Sequence, residues 1–435
     1  MDLPFAKRIS KIKSGNESGK YILYWMQGAF RCHHNHSLEF SIWLANQTKK
    51  PLLVLAVVDP SFPKANFRSY KFFLEGLKDV MVDLSQRNIA FQIEVGDFLK
   101  IVPKYAESAS FLIVDKAYLP NLRRIRRNIY ERVGSTIFEV DTNLLVPVDV
   151  ASDRKEPAAR TIRPKILRLS EAFLNDFEWF EYEGPRIEVD DRMNLQNVET
   201  ALNDLQVEYV PPCSMVGGHS EAMKKLERFI EEKFHSYAKF RNDPNLDVES
   251  KLSAYLHFGH ISTQEILKRL KQTDDVENYE AFFEQLVIRR ELAHNFAYHV
   301  EDLEDLYSLI PSWAVKTLAQ HVEDEREYLY ELEQFEKAQT HDEVWNSAQR
   351  QLLETGKIHN YLRMYWGKKI IEWTSSPKKA YQIMVYLNDK YALDGRDPNG
   401  YVGILWCFGL HDRPFRERKI FGKVRYMGLG KIKRR

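Results

Sequence analysis

PLLVLAVVD, residues 51–59, is apolar at every position from Leu52 to Val58. A strand with one face in water alternates apolar and polar side chains, so this uninterrupted run predicts a strand buried on both faces. Such strands belong to parallel sheets, because the helices that connect parallel strands cover both faces. The run has the length of a strand and falls far short of a membrane span.

Four other segments share this composition and complete a predicted sheet. They are rich in Val, Ile, Phe and Tyr and comprise Tyr21–Gln27, Ile89–Val95, Phe111–Lys116 and Ile137–Asp141. Helical patterns separate them, most clearly in Tyr70–Arg87, where apolar residues recur at spacings of three and four. Residues 1–165 are therefore predicted to form a doubly wound α/β domain.

The second half of the chain has a different pattern. Prolines interrupt residues 143–212, and we expect residues 166–210 to form an inter-domain connection with a few helical turns. Strand signals disappear after Pro212, and helical periodicity dominates in Glu221–His235, Tyr279–Tyr298 and His341–Thr355. Residues 211–435 are predicted to form a helical domain.

Composition and cysteine usage indicate an ordinary intracellular protein. The 435 residues are 44% hydrophobic and 29% charged, as in globular proteins of two or three domains. Cys32, Cys213 and Cys407 form no C-x-x-C pair, which favours a reducing compartment. The N-terminal segment lacks the apolar core of a secretory signal. We expect a cytoplasmic monomer with no membrane association.

Charge is unevenly distributed along the chain. The net charge is +1, but His411–Arg435 contains ten Lys/Arg and two Asp/Glu. A basic segment of this kind can attract nucleic-acid phosphates, or it can be a solvated surface.

Motifs of several other enzyme classes are missing from the sequence. Trp25-Met26-Gln27-Gly28 stands where a G-x-G-x-x-G turn would follow the first strand, so a dinucleotide there is unsupported. No Walker loop, G-x-S-x-G or H-E-x-x-H occurs. The histidines have no cysteine partners at zinc-site spacing, so no metal site is expected.

Trp366 and Trp373 are separated by two helical turns, so on one helix they share a face roughly 10 Å apart along the axis. Indoles at such steps, together with Trp345, could carry an electron between solvent and a buried redox centre. Ordinary helix packing explains the same spacing.

Two further segments contain several polar and charged residues close together. Glu249–Ser253 places hydroxyl side chains before a helical run, where they could cap the helix or help bind a pyrophosphate. Asp394–Tyr401 is a turn cluster by composition, and its charged and amide side chains could bind a heteroaromatic edge or satisfy one another.

These residues belong to a set of motifs spread over nearly the whole chain. The first half contains Tyr24–Gln27, Asn35–Glu39, Phe67–Leu77 and Arg160–Ile166. The second half contains Ser250–Gly259, Ile288–Leu292, Asp394–Tyr401, His411–Pro414 and Ile420–Met427. With these motifs in this order, the chain resembles the class II cyclobutane pyrimidine dimer photolyases of the cryptochrome/photolyase family.

The resemblance implies an N-terminal antenna domain, a C-terminal helical domain that binds FAD, and light-driven repair of UV-damaged double-stranded DNA. It implies that FAD contacts Tyr237, Glu249, Ser250, Lys251, Leu252, Ser253, Arg363, Asn388, Asp394, Asp397 and Asn399. Asn388 would face flavin N5, with Asn399 as the less favoured alternative. An antenna chromophore in the first domain would be a deazaflavin or a folate, or would be absent.

The resemblance also implies an electron path and a lesion pocket. Trp366, Trp345 and Trp373 would form the electron path, with Trp366 nearest the flavin. Trp406, Glu284 or Glu291 and a second aromatic residue, Tyr298 or Phe296, would contact the lesion. Arg413, Lys423 and Arg425 would contact DNA. The alternative is a cryptochrome-like blue-light photoreceptor that binds FAD but repairs nothing.

Overall fold

The N-terminal domain is built on a six-stranded sheet of order β1-β6-β5-β2-β3-β4. The computed structural model describes residues 3–189, 193, 195 and 197–428. The strands are β1 Ile9–Lys13, β2 Tyr21–Trp25, β3 Leu52–Val58, β4 Ala90–Val95, β5 Ala109–Asp115 and β6 Thr136–Val140. All neighbours pair in parallel except β1, which lies antiparallel to β6 at the edge. The predicted doubly wound domain is confirmed, and β1 was missed.

Helices cover both faces of this sheet. The helices of the domain are α1 His36–Thr48, α2 Phe67–Gln86, α3 Phe98–Ala106 and α4 Pro120–Arg132. Successive residues of β2 point to opposite faces. Tyr24 therefore belongs to the core under α1 and α2, and Trp25 to the core under α3 and α4. This two-sided burial explains why β3 is apolar throughout.

The connection contains more regular structure than the sequence predicted. Two helices, α5 Val148–Ala151 and α6 Ala159–Leu174, begin before residue 166, the predicted start of the connection, and α7 Val198–Asp204 lies within it. Pro164 lies inside α6, where the prolines had suggested only short turns.

The described segment from His219 to Cys407 is mainly helical, as predicted. Its helices are α8 His219–Glu232, α9 Tyr237–Phe240, α10 Ser253–His257, α11 Thr263–Lys271, α12 Val276–Phe283, α13 Arg290–Tyr298, α14 Leu306–Leu309, α15 Ser312–Gln320, α16 Leu332–Glu336, α17 Glu343–Thr355, α18 Asn360–Glu372, α19 Pro377–Tyr391 and α20 Pro398–Cys407. A π-helical segment, Glu284–Arg289, joins α12 directly to α13. No helix among the described residues combines the length and apolar character needed to cross a bilayer.

The two domains meet where β2 ends. Gly259 has φ +67°, and a Cβ built on it would lie 2.3 Å from the carbonyl oxygen of Gly28. The buried Arg31 guanidinium donates to the carbonyl oxygen of Gly259 at 2.9 Å and to the side chain of Asn143 at 3.1 Å. Only glycine allows the helical domain to approach the sheet this closely.

Candidate functional site

Three tryptophans form a continuous array inside the helical domain. The ring centroids of Trp366 and Trp345 lie 6.4 Å apart, and those of Trp345 and Trp373 lie 6.2 Å apart. Trp366 lies on α18 and Trp373 caps its C-terminus, so their predicted shared helix is confirmed. Trp345, on α17, lies between them because α17 and α18 pack together.

The array begins in the core and reaches the surface through other rings. Trp345, Trp366 and Trp373 are 0%, 2% and 3% exposed. Trp373 contacts Tyr330 at a centroid distance of 5.9 Å and His341 at 4.8 Å, and the Tyr330 hydroxyl lies 2.8 Å from His341 Nδ1. The sequence did not single out these two residues: Tyr330 falls in no motif, and His341, four residues before Trp345, lies just before α17 begins.

Arg363 and Asp394 form an ion pair beside this array, with Nη2 and Oδ1 3.1 Å apart. Arg363 lies on α18, one turn before Trp366, while Asp394 lies in the loop between α19 and α20. Burial opposes ionisation of Asp394, but the charge of Arg363 and a hydrogen bond from Ser253 lower its pKa below the usual value. The pair is partly exposed and therefore accessible to a ligand.

The segment Glu249–Ser253 lies on the same side of the domain. Glu249 accepts a hydrogen bond from the Asn360 N–H and pairs with Lys357 at 3.1 Å. Burial alone would raise the pKa of Glu249, but the charges of Lys357 and His359 and the hydrogen bonds from Asn360 and Lys357 together lower it below its usual value. Nε2 of His359 is buried and has no hydrogen-bond partner among the described residues. An unpaired buried nitrogen next to an ion pair fits a site completed by a polar ligand.

The helix that follows is not capped by a hydroxyl side chain. Leu252 occupies the N-cap position, without a side-chain cap, and Ser253 is the first helical residue. Ser250 and Ser253 therefore do not cap the helix, and the capping alternative is wrong. Lys251 has φ +57° and pairs with Asp247 at 2.8 Å.

Tyr237, the remaining residue predicted in this region, is largely buried. Its ring packs against Phe229 and Phe282. Burial raises the pKa of Tyr237 to about 12, so its hydroxyl is protonated at neutral pH.

Asn388 lies against the start of α20, and an open space begins one helical turn further along, at Gly403. Asn388 is buried near the end of α19, and its amide Nδ2 donates to Asp389 at 3.1 Å. A Cβ built on Gly400 would lie 3.0 Å from that nitrogen, whereas one built on Gly403 would meet no heavy atom within 4 Å. The space beside Gly403 is therefore not filled by the described residues.

Asp397 and Asn399 lie at the N-terminus of α20. The predicted turn cluster ends at Asp397, which caps α20 and also accepts a hydrogen bond from Asn399 Nδ2 at 2.9 Å. Burial opposes ionisation of Asp397, but the hydrogen bond and charge of His257 hold its pKa well below the usual range. Asn399 is exposed.

Trp406, at the end of α20, is covered by a cation from the π segment. The Arg289 guanidinium carbon lies 5.3 Å from the Trp406 ring centroid. Arg289 donates to Glu284 at 2.9 Å, and Glu284 accepts two further bonds from Arg163. Glu284 thus lies one side chain away from Trp406.

Other predicted lesion contacts lie elsewhere. Glu291 is buried and accepts a hydrogen bond from the backbone N–H of Leu145 at 2.6 Å, so it ties α13 to the segment that follows β6. Tyr298 contacts Lys116 and Arg123 of the α/β domain. Among the described residues no hydrogen bond or ring contact joins Glu291 or Tyr298 to Trp406, and their role as lesion contacts stays a prediction. Phe296 packs against His411.

A basic, aromatic surface follows α20. Arg413 and Arg425 are exposed, and both guanidinium groups lie within 6 Å of the Phe415 ring centroid, at 5.9 and 5.6 Å. Lys423 is exposed nearby, and its backbone carbonyl accepts from the Phe415 N–H. Residues 429–435 of the predicted basic segment lie outside the described residues.

A separate cavity lies at the carboxyl ends of β2, β3 and β5. It is lined by Gly28, Asp59 and Lys116 from the sheet and by His257, Arg290 and Asp397 from the helical domain. Doubly wound sheets generally bind ligands at this edge. Within the described residues no cluster of His, Cys, Asp and Glu could hold a metal ion.

Sequence comparison identifies curated relatives over almost the full chain. The DNA photolyase family model matches residues 22–182. A deoxyribodipyrimidine photo-lyase of Methanothermobacter thermautotrophicus is 41% identical over 96% of this chain and 92% of its own length. A second, from Arabidopsis thaliana, is 34% identical over 95% of this chain and 86% of its own length.

Solved structures share the fold at low sequence identity. A cryptochrome of Synechocystis sp. PCC6803 superposes with a TM-score of 0.72 at 15% identity, covering 95% of this chain and 85% of the other. An archaeal photolyase from Sulfolobus tokodaii, solved with two FAD molecules, gives a TM-score of 0.69 at 15% identity, covering 95% and 86%.

Proposed function

The chain belongs to the DNA photolyase family, and from that premise we propose that it repairs cyclobutane pyrimidine dimers in UV-damaged double-stranded DNA, as a monomer of the class II type. The observation that carries the proposal is the tryptophan array, which ends at Trp366 beside the Arg363–Asp394 pair. Reduced FAD, when bound, supplies the photoexcited electron that splits the cyclobutane ring.

The residues around the open space fit a bound flavin. Arg363 and Asp394 present a fixed charge pair, and the Asn388 amide and the free face at Gly403 border the same region of α19 and α20. On the other side, Glu249–Ser253 would lie along the phosphates, with His359 Nε2 free to bond a polar group. The amide of Asn388 can donate or accept a hydrogen bond and so hold a proton at the flavin edge.

The DNA-facing side of the site would bind the duplex and accept a pyrimidine dimer that has left the helix. Arg413, Lys423 and Arg425 would neutralise duplex phosphates, and a dimer leaves the helix at lower cost than an intact base pair because its pairing is already damaged. The freed pyrimidines would stack on Trp406, which excludes water from one face of the dimer.

The cavity at the sheet edge is our proposed position for an antenna chromophore. Its lining of Lys116, Arg290 and apolar residues suits an anionic aromatic ring system. A deazaflavin and a folate both meet that description.

Counting dimers in irradiated duplex DNA tests the proposal. Protein with reduced FAD should remove dimers under blue or near-ultraviolet light and leave them intact in the dark. A protein that binds FAD but leaves dimers unchanged in both conditions would instead be a cryptochrome-like photoreceptor.

A further inference from the structure

The Arg289 guanidinium lies over the ring of Trp406, with its carbon 5.3 Å from the ring centroid. We propose that Arg289 is a specificity-determining residue: its guanidinium covers Trp406 in the free protein and forms the second planar surface of the pocket when a pyrimidine dimer enters. This inference rests on the proposed function and deepens it.

The π-helical segment explains how Arg289 reaches this position. In an α-helix, residues five apart point in directions about 140° apart. The i→i+5 hydrogen bonding of a π-helix brings them onto nearly one face. Glu284 and Arg289 are five apart and bonded at 2.9 Å, which the local π geometry permits. Short π segments of this kind recur at functional sites.

An ion-pair chain fixes the orientation of the guanidinium. Glu284 accepts a hydrogen bond from Arg289 Nε at 2.9 Å. It also accepts two hydrogen bonds from Arg163 of α6, at 2.8 and 3.1 Å. The bond to Nε leaves both terminal nitrogens of Arg289 without an acceptor among the described residues. Those nitrogens can donate to carbonyl oxygens of a pyrimidine while the plane stacks on its face.

The two residues that follow, Arg290 and Glu291, form hydrogen bonds within the protein. Arg290 donates to the Asn143 carbonyl oxygen at 3.0 Å and to Thr263 at 3.2 Å, and Glu291 holds the backbone of Leu145. Arg289 alone of these three consecutive residues faces Trp406. A dimer can enter when the bonded Arg289–Glu284 pair moves away from the ring as a unit.

A planar role and a purely charged role make different demands on the side chain. Arginine stacks on aromatic rings and bases through its delocalised plane, whereas lysine is a hydrated point charge. Stacking on a base therefore requires arginine at position 289, while attraction of a phosphate would be served by either residue.

The test measures binding in the dark of flavin-loaded protein to a duplex with one thymine dimer and to the same duplex without it. We expect Arg289→Ala and Arg289→Lys to lower the preference for the dimer about tenfold. Arg228→Ala, which removes an exposed arginine of α8 paired with Glu232, should leave the preference unchanged. Flavin content and circular dichroism verify that each variant is folded.

Each outcome decides a separate point. If Arg289→Lys keeps the wild-type preference, the planar role is wrong and Arg289 is only a charge. If Arg289→Ala keeps the wild-type preference for the dimer, Arg289 has no part in recognising it. If wild-type protein shows no preference for the dimer, the proposed function itself fails. Glu284→Gln, which loosens the hold on Arg289 but leaves the guanidinium, should reduce the preference less than Arg289→Ala, and an equal or larger loss would contradict the assignment.

Discussion

The indole planes of Trp345 and Trp366 are within 6° of parallel, with their centroids 6.4 Å apart. Nε1 of Trp345 donates to the carbonyl oxygen of Trp366 at 3.0 Å, and Nε1 of Trp366 donates to Gln349 at 2.9 Å. Both rings are therefore held in fixed orientation by hydrogen bonds as well as by packing. Trp345 contacts both Trp366 and Trp373, so an electron moving along the array would pass through it.

Removal of that link should interrupt light-driven reduction of bound FAD. We expect Trp345→Phe to slow photoreduction of oxidised FAD at least tenfold, because phenylalanine is much harder to oxidise than indole. Repair by protein reduced chemically beforehand should stay within about twofold of wild type. Absorbance of oxidised flavin under illumination measures the first effect. Trp43→Phe, in the α/β domain, is the control, and equal slowing in both variants would refute the assignment.

Asp394→Asn should weaken FAD binding about tenfold. The substitution leaves the charge of Arg363 without its counter-ion in a largely buried position, where an unpaired charge is costly. Flavin retained per chain after gel filtration measures the effect. Glu333→Gln, which breaks an exposed pair with Lys337, should retain wild-type flavin content. Unchanged retention by Asp394→Asn would argue against a flavin at this position.

The basic surface should control the salt dependence of DNA binding. We expect the double change Arg413→Gln/Arg425→Gln to weaken binding to damaged and intact duplexes alike. It should reduce the slope of log K against log salt by about two, because each arginine removed leaves roughly one phosphate without a neutralising cation. Titrations at several salt concentrations give that slope. Weakening confined to damaged DNA would place these arginines at the lesion instead.

Glu291 should make folding stability depend on pH near neutrality. Burial raises its pKa to about 8, despite hydrogen bonds from the backbone. The folded chain therefore holds a proton that the unfolded chain releases above about pH 4.5, so stability falls as pH rises from there to about 8. Glutamine cannot titrate but can still accept from the Leu145 N–H.

The Glu291→Gln variant should therefore gain stability relative to wild type as pH rises. We expect the difference in free energy of unfolding to shift by about 1 kcal/mol or more between about pH 5 and about pH 8. Urea unfolding at both pH values measures it. Glu284, whose pKa is lowered by Arg163 and Arg289 against the effect of burial, provides Glu284→Gln as a control with no shift in this window. A constant difference for Glu291→Gln would contradict the assignment.

Gly259→Ala should destabilise the contact between the domains by about 2 kcal/mol or more. It places a Cβ 2.3 Å from the Gly28 carbonyl oxygen at φ +67°. Gly403→Ala meets no atom within 4 Å, so it should be neutral or stabilising by up to about 1 kcal/mol in the flavin-free protein. Thermal unfolding of both variants measures these effects. Equal effects would mean that the close approach of Gly259 to Gly28 does not contribute to stability.

The sequence predicted what local patterns encode. β3 was recognisable because both of its faces are buried. β1, with the sequence ISKIK, was missed because it is an edge strand whose side chains are partly or fully exposed, and two lysines break the apolar run. The Arg289–Trp406 contact was not predictable, because the two residues lie more than 100 positions apart in the sequence. It also depends on a π-helical segment that has no sequence signature. Capping by Ser250 or Ser253, one of two alternatives that the sequence left open, is absent, which shows that residue type alone does not fix a helix boundary.

The excited-state lifetime of reduced FAD in this protein tests the central claim most directly, because it reports electron transfer from flavin to lesion. The account predicts that a duplex with one thymine dimer shortens this lifetime, whereas the same duplex without the dimer does not. Equal lifetimes with saturating amounts of both duplexes would contradict it.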